Sequence, residues 1–374
     1  MRERIRIFVS LKKIVMCPAG LPHDRHCRQV SGHDRICMFV PAFLLPPICC
    51  LLLACFACAP QKERIFRKTK PIMDTLVTIT VVTDRSSAAD DAIERAFQEI
   101  ERLERTGNFH SQNSDIARIN RDAGITPVIV SPDIIELLMK AQQVSEKTDG
   151  AFDITIGPII SLYDFRNRRT PTAASIRKTL PLVNYRNMVI DRERSTVFLE
   201  KKGMLVDPGG IMKGYAADRA AEILQTNGVG SGIVAIGGDI RAFGLRADGT
   251  PWRVGIRHPR AKKQDDVIAV IGLSNLSIST SGDYERFFVQ DAHRIHHLIS
   301  PQTGYPAKGC RSVSVIATDG ALADAYATGI FILGRELGMK ILEQNGLEGV
   351  IVDDEGILHA TPGIKGRLEI KNPF

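Results

Sequence analysis

The chain has 374 residues, 44% of them hydrophobic and 24% charged, a globular composition long enough for two average domains or one large one. Its formal charge of +7 is concentrated at one end: residues 1–54 hold eight Lys or Arg against three acids, whereas the rest hold 41 against 39. That near-neutral body has no interleaved basic and aromatic stripe, so nucleic-acid binding is not expected of it. Seven of the eight cysteines lie at or before Cys58, and Cys310 stands alone in the body, which rules out a disulfide framework there.

The N-terminus reads as an address. Ile36 to Ala54 is apolar and uncharged, follows Arg28 and Arg35, and is broken by Pro41, Pro46 and Pro47, which argues against an ordinary membrane-spanning helix. A basic start, an apolar run and small residues describe a secretory signal. Leu52-Leu53-Ala54-Cys55 is similar to the bacterial lipobox, which implies lipidation of Cys55 and a lipoprotein on the inner membrane facing the periplasm. A true transmembrane anchor is the alternative, and it also leaves the body tethered and facing outward. Met16 and Met38 are alternative starts. Gln61 to Lys70 is polar and charged and reads as a tether. The expected organisation is a targeting segment over 1–54, a tether over 55–70 and one domain over 71–374.

In the body, Ile72 to Val82 alternates and is rich in β-branched residues, which predicts a strand. Ala88 to Arg105 has helical periodicity, with Ile93, Phe97, Ile100 and Leu103 on one face. Ser131-Pro132 opens a second helix, with Ser as N-cap and Pro in the first turn, running to about Thr148. A third helix covers Gly214 to Gln225. Short strands are expected over 232–236, 239–243, 252–257, 267–271, 276–280, 285–289, 294–299 and 312–317. Helices over 320–331 and 335–344 and a strand over 348–352 complete the body. Few, segregated helices among runs of strands predict an α+β fold with mixed or antiparallel sheets in one compact unit.

Several short stretches carry candidate chemistry. In Asp207-Pro208-Gly209-Gly210-Ile211-Met212-Lys213-Gly214, a glycine turn leads into a helix N-terminus, where free N–H groups and a lysine suit a phosphate. The Walker A spacing is absent, and a tight strand-to-helix turn accounts for the glycines equally. Gly237-Gly238-Asp239 reads as a hairpin turn. Asp153 sits among apolar residues in Thr148-Asp-Gly-Ala-Phe-Asp-Ile-Thr-Ile-Gly-Pro158, where a buried carboxylate needs partners. His296 and His297 point to opposite faces of a strand and lack zinc-ligand spacing. Asp324 and Thr328 lie four apart and share a helix face that small neighbours keep approachable. Their hard oxygens suit Mg²⁺. Taken alone, the pair is accounted for by a capping Asp and a Thr bonded back to a carbonyl.

In this order, the stretches M73-D-T, S114-D-I-A-R-I-N, T148-D-G-A-F-D-I-T-I-G-P, D207-P-G-G-I-M-K-G-Y-A-A-D, G237-G-D-I, S279-T-S-G-D-Y, H297-L-I-S-P-Q-T-G-Y-P and A323-D-A-Y-A-T resemble the ApbE family of FAD:protein FMN transferases. They span roughly 72–335. The resemblance implies that FAD is cut at its pyrophosphate, FMN is joined to a Thr or Ser of an acceptor protein, AMP leaves and Mg²⁺ is required. It implies acceptors among electron-transfer subunits bearing a Ser/Thr-Gly-Ala-Ser/Thr-like motif. It also implies roles for particular residues. Asp324, Thr328 and the carbonyl of Gly210 match the Mg²⁺ ligands. Met73, Ala151, Phe152, Asp153, Asp207, Lys213 and Leu298 match FAD contacts. His297 is the expected general base. Asn108-Phe109-His110-Ser111 takes the place of an aromatic that covers the flavin, so Phe109 or His110 stacks there. Ser300 stands where relatives often carry Asp or Asn, and Ala327 where some carry a further carboxylate. A Mg²⁺-dependent FAD pyrophosphatase and a non-catalytic FAD-binding lipoprotein are the alternatives.

Overall fold

The computed structural model describes residues 64–84, 86–261, 263 and 266–371; the targeting segment, Cys55 and the first part of the tether lie outside them. Strands β1 (Arg64–Ile72) and β2 (Thr75–Thr83) form a hairpin, followed by α1 (Ser86–Gly107), α2 (Asp115–Arg121), β3 (Val128–Ile129) and α3 (Pro132–Lys147). Two short helices, α4 (Gly157–Ile160) and α5 (Ala173–Thr179), precede β4 (Met188–Asp191) and β5 (Thr196–Leu199). Helix α6 (Met212–Thr226) leads into β6 (Ser231–Ile236), β7 (Asp239–Phe243), β8 (Trp252–Arg257) and β9 (Val267–Leu273). Next come β10 (Leu276–Gly282), β11 (Phe287–Gln290), β12 (His293–His296), β13 (Cys310–Ala317) and α7 (Gly320–Leu333). The chain closes with α8 (Arg335–Gln344), β14 (Glu348–Asp353), β15 (Leu358–Ala360), α9 (Pro362–Lys365) and β16 (Leu368–Ile370).

Eight strands form one antiparallel sheet in the order β1-β2-β6-β7-β10-β13-β14-β15. Because side chains alternate along a strand, each strand supplies two cores. Val77, Ile79, Val81, Val313, Val315 and Ile351 face the core built with helices α1, α3, α6 and α7. Val82, Ile316, Val350 and Val352 face the opposite way, into a core closed by the three-stranded sheet β16-β9-β8. The result is a three-layer α+β arrangement. On α1, the expected stripe Ile93, Phe97, Ile100 and Leu103 is fully buried.

Three expectations change. Residues 64–70, read as the end of the tether, belong to β1 and pair with β2 from Arg64↔Thr83 to Ile72↔Thr75. Their polarity is that of a sheet edge, where cations guard unpaired backbone. The single strand expected over 72–82 is broken at Met73 and Asp74, whose left-handed backbone (φ 56 for both) makes a two-residue turn. Ser131 does precede α3, but its hydroxyl makes no capping bond; its N–H instead donates to Asp115 Oδ2 at 2.7 Å.

Candidate active site

One end of the large sheet gathers the polar groups. The Gly237-Gly238 turn between β6 and β7 packs between Thr75, at the tip of the β1–β2 hairpin, and the Thr280 carbonyl on β10. The next residue, Asp239, is 1% exposed and takes an ion pair from Lys213 at the start of α6. Asp207 shapes the approach to that helix: its Oδ1 accepts from the Gly209 N–H at 2.9 Å, closing the turn Pro208–Gly210. Asp207, Lys213 and His297 are crowded by protein yet keep accessible surface, which places them on the wall of an open cleft.

Helix α7 meets this turn closely. A Cβ on Gly214 would stand 2.0 Å from the Gly320 carbonyl oxygen, so only glycine permits the crossing of α6 over α7. The Gly214 N–H donates to Asp324 Oδ2 at 3.1 Å. One turn further along α7, Thr328 Oγ1 lies 3.2 Å from where a Gly210 Cβ would be and 3.1 Å from Ser281 Oγ. Gly210 therefore meets the Asp324–Thr328 face of α7, although it lies more than a hundred residues before it. The small residues of α7 only partly give room to a ligand. Gly329 is filled by Thr148 and Phe152, and Gly320 by Gly214, Asp218 and Ser277.

Charge and burial set the behaviour of this cluster. Burial and the neighbouring Asp239 push the Asp324 carboxyl well above the usual carboxylate range, partly offset by Lys213 and backbone N–H groups. Asp239 and Asp324 against Lys213 leave one net negative charge when both acids are ionised. Among the described residues Asp324 accepts from backbone N–H groups. Thr328 follows one turn later on the same face of α7 and meets Gly210, so a carboxylate and a hydroxyl, hard oxygens suited to Mg²⁺, flank the turn. Among the described residues, no group of three or more His, Cys, Asp or Glu is gathered as a metal site. A Mg²⁺ site here would rest on one carboxylate, a hydroxyl and a carbonyl.

The remaining expected residues fall as follows. Met73 sits at the hairpin tip, its N–H donating to Glu104 Oε1 of α1 at 2.8 Å. His110 is exposed, its ring edge-on to the partly buried Phe109 with centroids 5.1 Å apart, and it reaches Asp207 electrostatically. Ala151 and Phe152 are buried, and the Phe152 ring lies against Gly210. The Asp153 carboxylate is bonded within the fold. Its Oδ1 accepts from Thr155 N and Oγ1 (2.8 and 2.6 Å), and its Oδ2 from Tyr185 N (2.9 Å). Leu298 is buried, its carbonyl taken by Ala307 N–H.

The two histidines part as the alternation requires. His296 is buried, with Nε2 3.0 Å from the Ala307 carbonyl. His297 turns the other way, and its Nδ1 has no partner among the described residues. Burial, then Arg286 and His296, hold its imidazole down to about 3. It is therefore neutral near pH 7.

Sequence reasoning assigned no role to Asp239, Ser281, Asp218, Arg286 or Glu104. Asp239 and Ser281 lay in the quoted Gly-Gly-Asp and hydroxyl-rich turns. Asp218, which burial pushes up to about 6, accepts from Gly320 N–H and Ser277 Oγ and ties α6 to α7 and β10. It closes the quoted Asp207–Asp218 stretch, but its partners lie more than fifty residues away in sequence. Two cavities of about 410 and 470 Å³ open around Arg335. Neither shares a residue with the cleft, and the groups between them are occupied in Asp353 pairs with His359 (2.7 Å) and Arg335 (3.7 Å).

The sequence matches the ApbE family over residues 73–351. The FAD:protein FMN transferase of Klebsiella pneumoniae is 36% identical over 285 residues, 75% of this chain and 87% of its own. That of Haemophilus influenzae is 31% identical over 317 residues, 81% of this chain and 91% of its own. Among solved structures, the ApbE protein of Thermotoga maritima superposes with a TM-score of 0.76 at 32% identity, covering 81% of this chain and 99% of that one. The flavinyl transferase ApbE of Pseudomonas stutzeri gives 0.72 at 28%, covering 83% and 98%. The chain belongs to the ApbE family.

Proposed function

We propose that the protein is a Mg²⁺-dependent FAD:protein FMN transferase, attaching FMN through its phosphate to a Thr or Ser of an acceptor protein and releasing AMP. The observation that carries this reading is the convergence of Gly210, Lys213, Asp324 and Thr328 beside His297, in a chain whose relatives bear that name. Lys213, paired with Asp239 at the start of α6, meets the pyrophosphate of FAD. The carbonyl of Gly210, Asp324 and Thr328 hold the metal ion, which supplies Lewis-acid neutralisation of phosphate charge. His297 takes the proton of the acceptor hydroxyl, whose oxygen bonds to the FMN phosphorus as the bond to AMP breaks. Bound phosphates offset the cations beside His297 and so raise its proton affinity when a base is needed. Phosphoryl transfer asks mainly for positioning and charge neutralisation, which this donor set provides.

The acceptor in this reading is an electron-transfer subunit with a Ser/Thr-Gly-Ala-Ser/Thr-like segment. The experiment is to incubate the protein with FAD, Mg²⁺ and such an acceptor domain and to weigh the acceptor. A gain of one FMN supports the reading. Free FMN and AMP with unmodified acceptor would instead indicate a pyrophosphatase, and intact bound FAD a carrier. We further assign lipidation to Cys55 and the work to the periplasmic face of the inner membrane. Cys55→Ser should move the protein into the soluble fraction, and unchanged membrane association would count against that assignment.

A further inference from the structure

We infer that the free edge of β11 is where the acceptor docks: an extended segment of the acceptor polypeptide adds to the β11–β12 hairpin as a third strand and is led to His297. The inference rests on the transferase reading above.

The hairpin turns at Asp291 and Ala292, both left-handed (φ 49 and 60), with Gln290 opposite His293 and Phe288 opposite Ile295. The ladder runs on one pair beyond the strands, the His297 N–H donating to the Arg286 carbonyl at 3.1 Å. Hydrogen-bonded pairs alternate along an antiparallel ladder. With Arg286 facing β12, the N–H and C=O of Phe287 and Val289 point away from it. Among the described residues, no strand pairs with that side.

The side chains fit a docking edge. Phe288 is buried, its ring 5.9 Å from Phe165, and fixes the hairpin to the body. Phe287 and Val289, on the other face, are 41% and 62% exposed. Free edges are normally guarded by charge, proline or shortness. In this molecule β1, an edge of the large sheet, carries Arg64, Arg67, Lys68, Lys70 and Pro71, and β15 at the opposite edge is three residues long. β11 is itself only four residues long; its outward-pointing positions carry neither a charge nor a proline, and the nearest cation is Arg294 of β12, whose guanidinium lies 3.8 Å over the Phe287 ring.

The occupant follows from position. Backbone pairing is offered only to a polypeptide in extended form. A strand laid along β11 runs toward Arg286, and Arg286 shares a face with His297 as its cross-strand neighbour. A chain on that edge runs two strand spacings, about 10 Å, from the line of β12, and on leaving the edge past Arg286 it comes out beside the residue that accepts the hydroxyl proton.

The test uses the full protein with FAD, Mg²⁺ and an acceptor domain that wild type flavinylates. Val289→Pro removes one outward N–H and leaves the β11–β12 bonds intact. It should raise the acceptor KM about tenfold, while Val289→Thr changes it less than about threefold and FAD affinity stays the same in both. In the unmutated protein, adding acceptor should slow amide exchange at Phe287 and Val289. Unchanged exchange there overturns the inference even if the proline variant fails to fold. An unchanged acceptor KM in a folded Val289→Pro overturns it too, as does an edge used for self-pairing, seen as a dimer that this variant dissociates without altering KM. FAD cleavage with no acceptor ever modified would instead bring down the transferase reading, and this inference with it.

Discussion

At the scale of single residues, the site is governed by what burial does to charge. Asp239 is almost fully buried and holds Lys213, so the lysine meets phosphate as one half of an ion pair. His297 shows the same effect on a base. Its imidazole is held down to about 3, first by burial, whereas in the unfolded chain it would titrate near 6.5. Between these values the unfolded chain binds the extra proton. The stability associated with neutral His297 is therefore present above about pH 6.5 and is lost as pH falls below it. An NMR titration of the ring nitrogens, assigned with His297→Gln, should find the imidazole neutral down to about pH 4. The melting temperature of wild type relative to His297→Gln should fall on acidification from pH 7 to 5. A ring that protonates near pH 6.5 and a flat difference in melting temperature would contradict this.

At the scale of elements, the crossing of α6 and α7 builds the cleft. Gly214→Ala puts a methyl 2.0 Å from a backbone oxygen that cannot rotate away, so the helices must part. This should cost about 1–3 kcal/mol of stability, despite alanine's better helix propensity, and should displace Asp324 as well. Gly230→Ala, with nothing within 4 Å, should stay within about 0.5 kcal/mol in the same denaturant titration. Equal effects of the two would disprove the close-crossing account. The crossing also marks the limit of what could be read without coordinates. Asp324 and Thr328 were legible as a pair because helix geometry fixes neighbours four apart, and Gly210 as part of a glycine turn. That Gly214 N–H bonds Asp324 across 110 residues, or that Lys213 meets Asp239 across 26, has no local periodicity to reveal it. The sequence marked Asp153 as a buried acid in need of partners, but not which partners: Thr155 is two residues away, whereas the Tyr185 N–H lies 32 residues on.

At the scale of the whole molecule, the large sheet is sandwiched between helices and a second sheet, and the cleft lies at the end where its hairpin tips meet α6 and α7. Most of this architecture followed from alternation and helical periodicity. β1 did not, because its cations and proline, which protect an exposed edge, are also what a tether contains. The difference has a measurable consequence. A chain beginning at Pro71 loses most of β1, uncovers the β2 edge and drops the Lys70–Glu94 pair (2.7 Å). It should melt at least about 4 °C below a chain beginning at Gln61 and associate more readily. Equal melting temperatures would restore the tether reading for those residues.

The central claim is that flavin transfer happens at the meeting of the 208–214 turn with α7. The most direct measurement is the mass of an acceptor domain after timed incubation with FAD and Mg²⁺, using wild type and Asp324→Ala side by side. Wild type should add one FMN per acceptor, and chelation of divalent ions should stop it. Asp324→Ala should slow the addition at least about a hundredfold while remaining folded. Transfer by Asp324→Ala at the wild-type rate would show that the chemistry lies elsewhere on the molecule.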